Sequence, residues 1–305
     1  MIDIVGKRYW YFGLSLLIII PGLAALLLFG VPLAIDFTGG SLLELQFTPT
    51  PPSESVIREI YGRFGVDVAT VTSVGQNGLQ IRSREISDQT RADVSSALRE
   101  RSIEFVELQF SSVSAAISGE VVNQAALTVL IAATGILLYL WYAFRQLPHA
   151  FRYGTAAIIA MLHDVLVVVG TAAIFGKVFG WEVNSLFLTA LLTVIGFSVH
   201  DTIVVFDRIR ENLNRRRGLP YEMLVNHSIV QTLDRSINTQ LTAFFTLLAL
   251  ALFGGQSILH FVLTLMIGIL SGTYSSIFNA AQILVVWENR EWRTWFRRKT
   301  MEQAA

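Results

Sequence analysis

Asp164 and Asp201 each stand within a long apolar run, and each directly follows a histidine, His163 and His200. A carboxylate at the centre of a membrane helix costs about 2.5 to 3.5 kcal/mol on insertion scales, so a chain that keeps one there usually uses it. Four chemistries suit such residues: proton carriage, metal ligation, hydrogen bonding between helices, and aspartyl proteolysis. Metal ligation is disfavoured, because successive helical residues diverge by about 100° and no third ligand is identifiable. An Asp164–Asp201 protease dyad would need two close carboxylates sharing one proton, in a glycine-rich context that this sequence lacks. Hydrogen bonding between helices, at about 0.6 to 2 kcal/mol per bond, accounts for His163 and Asp164 as readily as a function does.

Asp201 has a second signal. Arg235 follows a basic loop and opens a polar stretch containing Ser236, Asn238, Thr239, Gln240 and Thr242. A helix start of this kind can dip toward an inner cavity and bring Arg235 to Asp201. An ion pair would keep the carboxylate ionised and separation would favour its protonated form, so motion would be coupled to proton uptake. Carrying a charge through about 100 mV is worth about 2.3 kcal/mol, enough for one proton to bias a two-state bundle about 50-fold. Asp201 and Arg235 are therefore the expected proton-coupling residues, with Asp164, His163 and His200 as accessory candidates. The coupling ion is the proton, and no organic cofactor or metal is expected.

Such groups need helices to hold them inside a membrane. Of 305 residues, 53% are hydrophobic and only 15% charged, against about 25% charged in an average soluble chain. A soluble globular protein is excluded. A span needs roughly 20 apolar residues, and six runs qualify: 11–33, 121–144, 154–175, 184–206, 237–253 and 259–287. The first is long for a signal-peptide core and lacks a small-residue cleavage site before Asp36, so it reads as a retained anchor. Lys plus Arg balances Asp plus Glu at 23 each, which disfavours general nucleic-acid binding. The lack of cysteine excludes disulfides, a cysteine zinc site and thiol chemistry.

Basic residues orient the spans, because short cytoplasmic loops are rich in Lys and Arg. Arg145 and Arg152 flank one connection. Arg208, Arg210, Arg215, Arg216 and Arg217 crowd another, and Arg290, Arg293, Arg297, Arg298 and Lys299 follow the last span. These segments and the N-terminus are expected in the cytoplasm, and Trp287, Trp292, Trp295 and Phe296 read as an interfacial belt. The expected divisions are 1–33 for the N-terminus and first span, 34–120 for an external domain, 121–287 for the remaining bundle with a cytoplasmic loop at 207–236, and 288–305 for a cytoplasmic tail. Gly196, Gly254, Gly255, Gly268 and Gly272 suit close helix packing or tight turns.

Within the external insert the apolar pattern becomes short and alternating. Ile35, Phe37, Leu43, Leu45 and Phe47 suggest a strand stopped by Pro49, Pro51 and Pro52. Ser53 to Phe64 reads as an amphipathic helix, Val68 to Val74 and Leu79 to Arg82 as a hairpin, Ser87 to Arg101 as a second capped helix, and Ile103 to Phe110 as a last strand. The order βαββαβ is that of a ferredoxin-like α+β domain. It contains no histidine and no nucleophile beside a base, so a binding or mechanical role is expected of it rather than catalysis.

Two segments carry a family likeness: AIDFTGGS at 34–41 and IGFSVHDTIVVFDRIREN at 195–212, supported by HDV at 163–165, QTLDRSINTQLT at 231–242 and LFGG at 252–255. They closely resemble the signatures of the SecF family, bacterial membrane subunits that work with SecD beside the Sec translocon. The resemblance implies half of an RND-type bundle, six transmembrane helices with a ferredoxin-like periplasmic domain between the first two, in the bacterial cytoplasmic (inner) membrane with both termini cytoplasmic. It implies assistance to late protein export driven by the proton-motive force, with SecD, the SecYEG translocon and the translocating preprotein as partners, and YajC as a further candidate. The family's essential membrane Asp falls on Asp201 and its functional Arg on Arg235. Two departures stand out: His200 replaces the usual Asn, and SSVSAAISGE at 111–120 replaces a glycine-proline element. The alternative function is an independent RND-type exporter of a small or lipidic substrate, built as a homodimer.

Overall fold

The computed structural model describes residues 2–145, 150–215 and 218–291. The chain divides into two compact units. One comprises Met1–Val31, Val129–Val178 and Leu186–Ala305, the other Pro32–Thr128 and Phe179–Ser185.

Among the described residues, six helices are long and apolar enough to cross a membrane. They are α1 (Arg8–Phe29), α5 (Ala115–Phe144), α6 (Ala150–Phe179), α7 (Ser185–Arg215), α8 (Tyr221–Phe253) and a last rod built from α9 (Gln256–Ser275), one π-turn (Ser276–Ala280) and α10 (Ala281–Glu288). Most run past the apolar windows that signalled them, whereas α1 stops at Phe29, short of the expected end at 33. The loop expected at 207–236 is instead mostly helix, because Arg210 pairs with Asp207, Arg208 with Glu211 and Arg215 with Glu211 at helical spacing, which sustains the helix beyond its apolar part. Arg216, Arg217 and residues 292–305, with Arg293, Arg297, Arg298, Lys299, Trp292, Trp295 and Phe296, lie outside the described residues.

The bundle packs closely where side chains are smallest. A Cβ on Gly22 would come within 2.9 Å of Gly170 Cα, and one on Gly268 within 2.0 Å of Val194 Cγ2. These contacts draw α1 onto α6 and α9 onto α7. Gly272 sits similarly against Ser198, whereas Gly196 faces open space. At one end of the bundle Phe144 stacks on Tyr153 and both meet Phe206 edge to face, with centroids 5.4 to 5.8 Å apart, and Asn226 Oδ1 accepts the backbone N–H groups of Ile4 (2.8 Å) and Val5 (3.1 Å).

The second unit is a four-stranded antiparallel sheet with order β2-β3-β1-β4, from β1 (Gly40–Thr48), β2 (Val68–Val74), β3 (Gly78–Ser83) and β4 (Glu104–Val113). Helices α3 (Glu54–Arg63) and α4 (Asp88–Glu100) complete the βαββαβ order. Alternate residues Leu43, Leu45 and Phe47 of β1 pack with Ile57, Ile60, Tyr61, Val94 and Leu98 of the helices. Ser87 caps α4 by accepting from Thr90 N at 3.1 Å. Ile35 and Phe37, expected in the first strand, lie in a one-turn helix, α2 (Ile35–Thr38). Gly39 (φ 72°) and Gly40 (φ 115°) then swing the chain into β1, and Gly40 lies so close to Ser83 O that a Cβ would sit 2.6 Å away. SSVSAAISGE forms the end of β4 and the first turn of α5 rather than a separate element.

The same unit grips the connection from Phe179 to Ser185. Leu33 and Val183 form a parallel bridge, Asp36 Oδ2 accepts from Ser185 N (2.9 Å) and Ser185 Oγ (2.7 Å), and Arg82 donates to Leu33 O and Glu182 Oε1 (3.0 Å each). Burial pushes the Glu182 carboxyl up, against the opposing pull of Arg82.

Candidate functional site

Asp201 lies midway along α7 and is 3% exposed. Its Oδ2 accepts one short hydrogen bond from Gln240 Nε2 of α8, at 2.5 Å. His200 Nδ1 stands 3.8 Å from Oδ1, too far for a hydrogen bond, and its ring is largely exposed. Among the described residues Asp201 and Arg235 form no ion pair within 4.0 Å, and Arg235 is exposed. The sequence left open whether Arg235 meets Asp201; the partner in the structure is instead a neutral amide. The reason is angular: Gln240 and Arg235 are five residues apart on one helix, about 140° around its axis, so both cannot face α7 together.

Asp164, on α6, is 0% exposed and has a full set of partners. Ser271 Oγ donates to its Oδ1, and Ser198 Oγ and Ser275 Oγ donate to its Oδ2, all at 2.6 Å. His163 Nδ1 lies 3.0 Å from Oδ1, and His163 Nε2 lies 3.1 Å from Ser15 Oγ on α1. Ser15 in turn meets Asn279 of the π-turn, which donates through Nδ2 at 2.8 Å. This corrects the argument that neighbouring His and Asp must point apart: their Cβ atoms diverge, but the imidazole is long enough to bend back to the carboxylate. The result is a polar knot fastening four of the six spans.

The two carboxylates are held by separate sets of groups, so no shared-proton dyad exists between them. No group of three or more His, Asp or Glu side chains among the described residues is placed to hold a metal ion. Sequence reasoning missed Gln240 as the partner of Asp201, and Ser15, Ser198, Ser271, Ser275 and Asn279 around Asp164. Ser271, Ser275 and Asn279 recur at four-residue spacing inside an apolar span, a signal that was available.

Comparison with known proteins decides the family. The pattern described as protein export membrane protein SecD/SecF, C-terminal, matches residues 93–290, and the SecD/SecF GG motif matches residues 24–51. The protein translocase subunit SecF of Anaerolinea thermophila is 53% identical over 301 residues, covering 98% of each chain. The chain belongs to the SecF family. Its members are protein translocase subunits, which makes this chain a multi-pass membrane component of protein translocation with an α+β periplasmic domain. The SecDF subunit of Bacillus subtilis is 33% identical over 95% of this chain, which corresponds to 38% of that longer protein. The crystal structure of SecDF, a translocon-associated membrane protein from Thermus thermophilus, superposes with a TM-score of 0.81 at 32% identity, over 95% of this chain and 39% of that one. Within this SecF-family fold, the GG motif is the α2–β1 turn whose Asp36 caps the first residue of α7.

Proposed function

We propose that the chain pairs with SecD beside the SecYEG translocon and uses the proton-motive force to promote late export of preproteins across the bacterial inner membrane. Asp201 is the proton carrier of this reading, Arg235 the charge that senses its state, and the periplasmic domain the part that engages emerging polypeptide. Both termini lie in the cytoplasm, and YajC is a further partner. The fused SecDF relatives support pairing with SecD.

The observation that carries the proposal is the contact between Asp201 and Gln240. A carboxylate inside a membrane bundle is kept only at a cost, and this one is held by a group that suits either protonation state. Gln240 Nε2 donates to the ionised form, and after rotation of the amide Oε1 accepts from the protonated form. An Arg partner would suit only the anion. Asp201 is thus positioned to gain and lose a proton while keeping a hydrogen bond to Gln240 in both states. Once Asp201 is neutral, its attraction for Arg235 is gone, and the helix carrying Arg235 is free to take a second position.

The test is export of a secreted precursor in cells whose own SecF is replaced by this chain and its SecD. Asp201→Asn is expected to abolish the stimulation of export while the protein still accumulates in the membrane with SecD. Export at the unsubstituted rate would refute the assignment.

A further inference from the structure

Ser228, Thr232, Ser236 and Gln240 recur every fourth residue along α8 and are 0%, 6%, 2% and 5% exposed. They form one buried polar line about 18 Å long. Helix α7 meets it at both ends. Asp201 takes Gln240 at 2.5 Å, and Asn212 Nδ2 donates to Ser228 Oγ (2.8 Å) and Gln231 Oε1 (2.9 Å). Past Asn212 the line reaches open surface, where exposed Gln231 also meets Arg208 Nε and His227, each at 2.7 Å.

The hydroxyls remote from Asp201 are satisfied by their own helix. Ser228 donates to Leu224 O at 2.8 Å, and Thr232 to Ser228 O and Ile229 O at 3.1 Å. Those nearest Asp201 are not. Ser236 Oγ and Gln240 Oε1 are buried with no hydrogen-bond partner among the described residues. A stripe of small hydroxyl residues is only a helix face. Two bare polar atoms on successive turns, one of them on the very side chain that holds Asp201, are different, because buried polar atoms are nearly always satisfied by protein or ordered water.

We infer that Ser236 Oγ and Gln240 Oε1 bind internal water, and that the line along α8 that starts at this water is the branch through which Asp201 exchanges protons with the surface beside Gln231 and His227. The inference rests on Asp201 being the proton carrier. When the Asp201 carboxyl releases its proton, its O–H bond breaks as an O–H bond forms to the first water, and one of the two O–H bonds that water already had breaks as its proton bonds to the next water along the line. Each further transfer makes one O–H bond and breaks one, with Thr232 and Ser228 only flanking the waters, until the proton bonds to bulk water at the surface beside Gln231 and His227. Ser236 is a positioning residue here: it holds the water that Asp201 needs and does not itself store the proton.

The test uses the full chain with its SecD in liposomes, and follows by infrared spectroscopy the carbonyl band of protonated Asp201 after transfer to D2O. The band is identified by its loss in Asp201→Asn. Ser236→Ala is expected to slow H/D exchange at this band at least tenfold and to lower proton flux in step, with Ser236→Thr within twofold of the unsubstituted protein and thermal melting unchanged in both. A high-resolution map of the unsubstituted protein is expected to show water within about 3.2 Å of both Ser236 Oγ and Gln240 Oε1, a measurement that does not depend on how any variant folds. Exchange at the unsubstituted rate in Ser236→Ala, or a dry site in the map, overturns the inference. If no band is lost in Asp201→Asn, it is the carrier assignment that fails. If the band is present but indifferent to Ser236, only the water line fails.

Discussion

Replacing Asp164 by Ala removes the acceptor of three hydroxyl hydrogen bonds, from Ser198, Ser271 and Ser275, each 2.6 Å long. Hydrogen bonds between membrane helices are worth about 0.6 to 1.7 kcal/mol each, so three of them amount to about 2 to 5 kcal/mol. The serines recover part of this by turning back to their own helices, as Ser275 Oγ already lies 3.2 Å from Gly272 O. His163 has no such retreat on its Nδ1 side, and it stays against Ser15 and Tyr274. The expected loss is therefore near the middle of that range, about 3 kcal/mol. Asp164→Asn keeps the shape and one acceptor oxygen, and about half of the loss is expected. The assay is equilibrium unfolding of the purified full chain in mixed micelles, with double-mutant cycles pairing Asp164→Ala with Ser275→Ala and Ser198→Ala. A loss below about 0.5 kcal/mol in Asp164→Ala, or cycles with no coupling, would refute the view that this knot ties α6, α7 and α9 together.

Gly268→Ala is expected to destabilise the bundle by about 1 to 3 kcal/mol, because the new methyl would fall 2.0 Å from Val194 Cγ2 and Val194 is fully buried. Val194→Ala added to it should restore most of the loss in the same unfolding assay. Ser87→Ala should cost the periplasmic domain about 1 kcal/mol through the lost cap of α4, seen as faster amide exchange over Asp88–Arg91. Glu59 accepts from Arg101 and from Arg63, which hold its carboxyl at about 2 against an ordinary 4.5. A depressed carboxylate stabilises the fold above its unfolded value and loses that contribution as pH falls through its folded value. The stability gap between the unsubstituted chain and Glu59→Gln should thus narrow steadily from pH 4.5 down to about 2; a gap independent of pH in that window would contradict the pairing.

The periplasmic domain was readable because each element had a local cause. Leu43, Leu45 and Phe47 alternate, Ser53 and Ser87 precede amphipathic runs, and Gly75 to Gly78 separate two hairpin strands. Its first strand was read too early because Ile35 and Phe37 also alternate, while the left-handed turn at Gly39 and Gly40 that separates them from β1 leaves no trace in an apolar pattern. The end of α7 was read short for the opposite reason: charge ended the apolar window at Phe206, yet charge pairing carried the helix on to Arg215. The position of Asp201 on a helix was plain, but its partner was chosen by charge rather than by angle. Helix geometry alone places Gln240 in line with Ser236 and turns Arg235 away. The set around Asp164 was harder to see, since Ser198, Ser271 and Ser275 lie 34, 107 and 111 positions from it. Serine inside an apolar span also reads first as a small packing residue.

Inside-out membrane vesicles containing this chain and SecD allow the sharpest measurement. The rate at which a partly translocated precursor completes its passage is followed at constant ATP, with the proton gradient present or collapsed by an uncoupler. The unsubstituted protein should be faster with the gradient, and the Asp201→Asn protein should run at one rate in both conditions, equal to the uncoupled rate. Full acceleration by the gradient in Asp201→Asn would contradict the assignment of this carboxylate as the point where proton movement enters the export machinery.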